Sequence, residues 1–144
     1  MIFNKHGSFY IRNSWPMKGL MAIDYEPTIF TPQNISKALD KLGIGRAMVT
    51  SLRYWLPVLG LAEEGRDSMG RVVLNPTILG RQILEYDSYF QDIGTTWLLN
   101  SNLVKSAKEA TTWYWFFNIF NRVVFTKEDF LKDLKSFTKT NGIT

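Results

Sequence analysis

The sequence predicts a mainly helical α+β fold, a winged helix-turn-helix with a two-stranded wing and a carboxy-terminal helical extension. Three observations carry this expectation. Residues 31–61 read as two amphipathic helices joined by a tight glycine turn, a strand-turn-strand pattern follows them directly, and the chain from Thr95 onward is helical and aromatic in its patterning. The expected organisation is a winged helix-turn-helix region over residues 1–90 and a helical extension over 91–144, folded as one unit.

The chain begins with a short extended stretch, FNKHGSFYIR, and then a helix from Pro16 to about Tyr25, the first of the winged fold. Thr31 and Pro32 open the next helix. A threonine hydroxyl can cap free backbone N–H groups, and proline at the first helical position gives up no bond the helix needs. Ile35, Ala38, Leu39 and Leu42 recur at spacings of three and four, which puts them on one buried stripe with Lys37, Asp40 and Lys41 outside it. Gly43 can adopt the left-handed conformation that ends helices, and Gly45 permits a second change of direction two residues later. In the following helix Met48, Leu52, Trp55, Leu56 and Leu59 form the apolar stripe. Arg46, Thr50 and Arg53 lie one turn apart opposite it, flanked by Ala47, Ser51 and Tyr54. Pro57 removes a backbone donor and kinks or ends this helix, with Gly60 as its stop.

After Leu61, Val72, Val73 and Leu74 favour a strand, and Glu64 to Gly70 carry turn chemistry, which together predict a hairpin. Asn75, Pro76 and Thr77 stop the second strand and start the helix ILGRQILEY, with Ile78, Leu79, Ile83 and Leu84 expected inward. Three further helices are read from TTWLLNSNLVKSA, ATTWYWFFNIFNRV and FTKEDFLKDLKSFTK. The last is capped by Thr126, with Glu128 and Asp129 in its first turn, where the helix dipole favours acids.

Composition narrows the function. The 144 residues include no cysteine and one histidine, so disulfides, thiolate metal sites and cysteine catalysis are excluded, and no metal or cofactor is expected. There is no basic and apolar leader and no apolar run of about eighteen residues, so a soluble cytoplasmic protein without membrane contact is expected. The net charge is +4, compatible with a polyanionic partner, and residues 31–61 hold four basic residues against one acidic. The excess falls on the two central helices. Residues 62–90 hold three basic and five acidic residues, so Glu63, Glu64 and Asp67 blunt the field of Arg66 and Arg71 on the wing.

The candidate interface follows from these placements. Arginine donates two parallel bonds to guanine, threonine and serine reach bases or phosphates, and a small alanine lets a helix approach closely. Arg46, Thr50, Ser51 and Arg53 are therefore the expected contacts to double-stranded DNA, with Lys37, Lys41 and Arg71 as supporting phosphate contacts. A solvated face of an ordinary core helix would show the same periodicity. The run from Trp113 to Phe117 could stack bases, but five consecutive aromatics cannot share one helix face. Burial in a core or a subunit contact, including a homodimer, explains them more simply, and Tyr86, Tyr89 and Phe90 are read the same way. No Walker loop, dinucleotide fingerprint or nucleophile elbow is present, and the acidic pairs are accounted for by caps and turns, so no catalytic residue is assigned and no enzyme is expected.

The segments SFYIRNSWPMKGL, LGIGRAMVTSLRYW, TTWLL and ATTWYWFFN together resemble the bacterial proteins grouped as domain of unknown function 4007. The resemblance spans nearly all of the chain and matches the amino-terminal portion of members about twice its length. It implies association with phosphorothioate DNA modification or phage defence, beside other subunits of such a system. Two roles are then open: a DNA-binding module, or an interaction or scaffold subunit that uses the winged helix and the aromatic helix for protein contacts.

Overall fold

In a computed structural model that describes Met1 to Gly142, the elements run α1 (Ser14–Tyr25), a 3-10 turn (Pro32–Asn34), α2 (Ile35–Leu42) and α3 (Arg46–Val58). They continue with β1 (Ala62–Arg66), β2 (Val72–Pro76), α4 (Ile78–Tyr86), α5 (Ile93–Lys105), α6 (Thr111–Asn118) and α7 (Lys127–Thr140). Residues 143–144 of the expected extension lie outside the described residues. The order of helix, turn, helix and antiparallel hairpin is that of a winged helix, within a mainly helical α+β chain. The chain forms two compact units, Asn4–Asn102 and Met1–Phe3 with Leu103–Thr144.

In the first unit, α1 crosses α3 at Gly19, where an added methyl carbon would lie 3.0 Å from the side chains of Leu52 and Leu56. That close approach lets Trp15, Leu20 and Ile23 of α1 join Leu52, Trp55 and Leu56 of α3 in the core. The turn between α2 and α3 is made as expected by Gly43 at φ +64, the left-handed cap, and by Gly45 in an extended conformation. The start of α2 differs from expectation. Thr31 is buried, and its hydroxyl donates to the Thr28 carbonyl at 2.8 Å rather than capping the helix, so the first turn winds as 3-10. Pro57 sits in the last turn of α3, and Gly60 at φ +75 completes the stop.

The hairpin pairs Ala62 with Pro76 through Arg66 with Val72 and turns over Asp67–Gly70. Its inner face buries Val73 and Leu74, and the Leu74 N–H donates to Pro27 O, which ties the second strand to the segment after α1. Thr77 caps α4 by accepting from the Gly80 N–H at 3.0 Å while donating to Gly60 O at 2.6 Å. Two expectations fail here. A side chain at Gly80 would run into the Leu61 carbonyl oxygen, so α4 turns that residue inward. Ile83 follows it into the core and Ile78 is left 79% exposed. Tyr86 and Tyr89 are also exposed rather than buried, since the chain leaves α4 at Asp87 with both on its outer side. The amino-terminal stretch is not extended. It turns through Gly7 and Ser8, both at positive φ, and its His6 ring stacks on Trp55 with centroids 5.5 Å apart.

In the second unit, the Ile2 N–H donates to the Thr111 hydroxyl at the start of α6. Helix α6 ends at Asn118, short of the expected span to Val123, because the N–H groups of Ile119 and Phe120 both turn back to Trp115 O. This swings the Phe120 ring to 4.9 Å from that of Trp115, which also packs on Phe130 and Phe137. Of the expected aromatic core, Trp115 is buried, Trp113, Tyr114 and Phe116 are half-buried, and Phe117 is exposed. Helix α7 starts with a reciprocal cap: Thr126 Oγ1 accepts from the Asp129 N–H, and the Asp129 carboxylate accepts from the Thr126 N–H.

Candidate nucleic-acid interface

The helix-turn-helix places α3 so that its amphipathic stripe faces α1 and its opposite side is open. Arg46 occupies the first helical position and is exposed, Thr50 follows one turn later and is exposed, and Arg53 is half-buried a turn beyond. Neither arginine takes part in an ion pair among the described residues. Both guanidiniums therefore keep their donors available, and a guanidinium is weakly enough hydrated to exchange water for phosphate or a base edge. The Thr50 hydroxyl donates to Arg46 O at 3.2 Å, which leaves it an acceptor.

Ser51 does not belong to this face. It is 1% exposed, and its hydroxyl donates to Phe9 O, an acceptor it shares with the Trp55 indole N–H. The amino-terminal stretch covers that side of α3, so Ser51 is corrected from a DNA contact to a core hydroxyl. Tyr54, expected as a flanking residue, is buried with it.

The three supporting cations each have an internal partner. Lys37 pairs with Glu26 at 2.6 Å, and Lys41 lies 3.8 Å above the ring of Tyr25. The hydrogen bond from Lys37 holds the Glu26 carboxyl below its ordinary range, against the opposing effect of burial. On the wing, Arg71 pairs with Asp67 at 2.7 Å, and Arg66 donates to Gly70 O at 2.8 Å. Burial would raise the Asp67 carboxyl, but the bonds from the Arg71 and Met69 N–H groups and the Arg71 guanidinium outweigh it and hold it low. The wing arginines thus brace their own turn. From the sequence Glu26 is read only as one of an acidic pair with Asp24 and Tyr25 only as the end of a helix; their engagement of the two lysines of α2 is not legible there, because neither lies on the same helix as its partner.

Between α3 and the start of α2 lies a cavity of about 260 Å³, lined by Phe30, Pro32, Ile35, Arg46, Val49, Thr50 and Arg53. Phe30 and Val49 are fully or nearly buried, and they form its floor with Ile35. No carboxylate lines it. Val49 was not read as a site residue, although its place between Arg46 and Arg53 was the available signal.

A hairpin that follows a helix-turn-helix is the layout of the winged helix-turn-helix class. Within that class, the sequence matches the family described as "Protein of unknown function (DUF4007)" over residues 3–143, and the chain belongs to that family. No protein of curated function matches it. Two solved SspB structures are similar. A magnesium ion-bound SspB gives a TM-score of 0.82 and an SspB structure 0.81, each at 26% identity over 96% of this chain. The chain spans 42% and 43% of the length of those two SspB chains.

Proposed function

We propose that this chain is a double-stranded-DNA-binding winged-helix protein of a phosphorothioate modification or phage-defence system, acting in the cytoplasm by binding rather than by catalysis. The observation that supports it most is the open face of α3, where Arg46 and Arg53 are the cations of the expected set without an ion-pair or ring partner. Membership of the DUF4007 family and similarity to SspB support the system-level part of the reading. One of those SspB structures is magnesium-bound. Among the described residues of this chain no three His, Asp or Glu side chains converge to hold a metal ion, and the proposed binding role calls on none. No helix among the described residues is long and apolar enough to cross a membrane.

A salt titration of duplex binding tests the proposal. Removing one cation that meets a phosphate should reduce the slope of log K against log salt by about one unit, and removing one bidentate donor to a base should cost about 1–3 kcal/mol. Replacing Arg46 and Arg53 together by Ala should therefore lower the slope by about two or weaken binding and relax specificity. Unchanged binding by a folded double variant at low salt would show that α3 is not the reading element.

A second reading has its own observation. Phe117, Ile119, Val123 and Val124 are exposed in the second unit, Val123 at 96% and Val124 at 88%. Exposed apolar side chains in this number suit another subunit of the system or a second copy of the chain. Concentration-dependent association that disappears on replacing Val123 and Val124 by Ser would favour that role over DNA binding.

A further inference from the structure

Most of the net charge of the chain lies outside the winged helix. Residues 4–102 hold ten basic and nine acidic residues, whereas residues 103–144 hold seven basic and four acidic, so +3 of the net +4 falls on the carboxy-terminal stretch. Helix α7 gathers much of it on one face. Lys132, Lys135, Ser136 and Lys139 are exposed, while Phe130, Leu134 and Phe137 are half-buried, with the two phenylalanine rings against Trp115. Two acids of the helix are engaged elsewhere. Asp129 and Asp133 both meet the Arg122 guanidinium, at 3.6 and 2.6 Å, and Asp129 also closes the amino-terminal cap. Glu128 borders the same open groove as the three lysines, but it stands in the first turn, where the helix dipole favours an acid, and it forms no ion pair with them among the described residues. Lys132 biases the Asp129 carboxyl without pairing with it, and the ammonium groups of Lys135 and Lys139 have no ion-pair or ring partner among the described residues.

The three lysines are three and four residues apart, so they share one helix face and span about 10 Å of its length at about 1.5 Å per residue. Phosphates of one duplex strand recur every ~3.4 Å along the axis, and a row of this length therefore meets about three of them. An ammonium is a compact point charge that attracts phosphate without demanding a fixed geometry, so such a row responds to charge density and not to base sequence. A lipid surface suits it less. A helix lying among headgroups inserts its apolar face, and here that face is occupied by Trp115, while the exposed Val123 and Val124 precede the opposite, acidic end of the helix. An acidic polypeptide would have to crowd its carboxylates to a density that the phosphodiester backbone carries by its covalent structure. We propose that the Lys132, Lys135 and Lys139 face of α7 is a second contact to the phosphate backbone of duplex DNA, indifferent to sequence. This rests on the reading of the chain as a duplex-binding protein and adds to it a surface that uses neither α3 nor the wing.

The test titrates the whole chain with salt on two fluorescein-labelled duplexes of unrelated sequence. Replacing Lys132, Lys135 and Lys139 together by Gln should lower the slope of log K against log salt by up to about three units, equally for both duplexes. Between about 50 and 200 mM salt the unaltered protein should then lose up to about fortyfold more affinity than the variant. The matching triple Arg variant keeps the charge and should keep the slope. Lys135→Gln alone should remove about one unit, and it carries the test if the triple variant fails to fold, as judged by its urea midpoint. An unchanged slope in the folded Gln variants overturns the α7 surface while leaving duplex binding through α3 intact. Equal loss of slope in the Arg and Gln triples shows that charge is not what the face supplies, and overturns it too. Lysine-dependent binding to phosphatidylserine vesicles or to polyglutamate that is tighter than binding to duplex reassigns the face to a membrane or an acidic protein. Failure of the unaltered chain to bind either duplex at low salt overturns the DNA reading itself.

Discussion

Truncating Trp115 to Ala tests whether the aromatic helix is a core element or a nucleotide platform. Trp115 is 3% exposed, and its ring meets those of Phe120, Phe130 and Phe137 at centroid distances of 4.9, 5.3 and 6.1 Å. Such a ring removes about 150–250 Å² from water, which at about 25 cal/mol per Å² gives roughly 4–6 kcal/mol before relaxation of the site. Measured truncations of buried Trp and Phe cluster at about 3–5 kcal/mol, and we expect Trp115→Ala within that range. Phe117→Ala is the internal control, because Phe117 is 56% exposed and should cost under about 1 kcal/mol. Urea denaturation of both variants, followed by tryptophan fluorescence and by far-UV circular dichroism, gives the two values and shows whether the two compact units unfold together. An unchanged urea midpoint for Trp115→Ala would refute the assignment of this ring to the core. Loss of nucleic-acid binding with the urea midpoint and oligomeric state unchanged would refute it more sharply, since the ring would then contact the ligand directly.

Glu26→Gln should release Lys37 for phosphate, because the pair at 2.6 Å occupies its ammonium; the salt slope of duplex binding should rise by up to about one unit, and a fall would show that the pair organises the interface instead. The cap of α7 should depend on pH. Hydrogen bonds from Thr126 depress the folded Asp129 carboxyl below its ordinary value of 3.8, with Arg122 adding to the effect and burial opposing it. Its stabilising contribution is therefore complete above the unfolded value and is lost as pH falls through the depressed folded one. The protection of amides in the first turn of α7, measured as exchange relative to an unstructured peptide at the same pH, should fall on acidification below about pH 4, and Asp129→Asn should remove that dependence.

What the sequence determined by itself is the set of elements and their order, because the signals that start and stop them act within a few residues. Gly43 ends α2 through its own φ, Thr126 and Asp129 close their cap three residues apart, and Thr77 reaches only to Gly80. The winged-helix layout and the outward face of Arg46, Thr50 and Arg53 were legible for the same reason, since helical periodicity is local. Tertiary structure decided which of the candidate contacts are available. Ser51 has the spacing of a flanking residue, yet its hydroxyl is taken by Phe9, 42 residues earlier. Lys37 and Lys41 lie outside the apolar stripe, yet Glu26 and Tyr25 engage them from the far side of the connection after α1. Ile78 was sent outward by a carbonyl of Leu61 that only the folded chain brings against Gly80. The cavity beside α3 belongs to the same category. Its rim comes from one helix and its floor partly from Phe30 and Ile35, so the pairing of charge with carbon exists only once α2 and α3 are packed, and no periodicity in either segment encodes it.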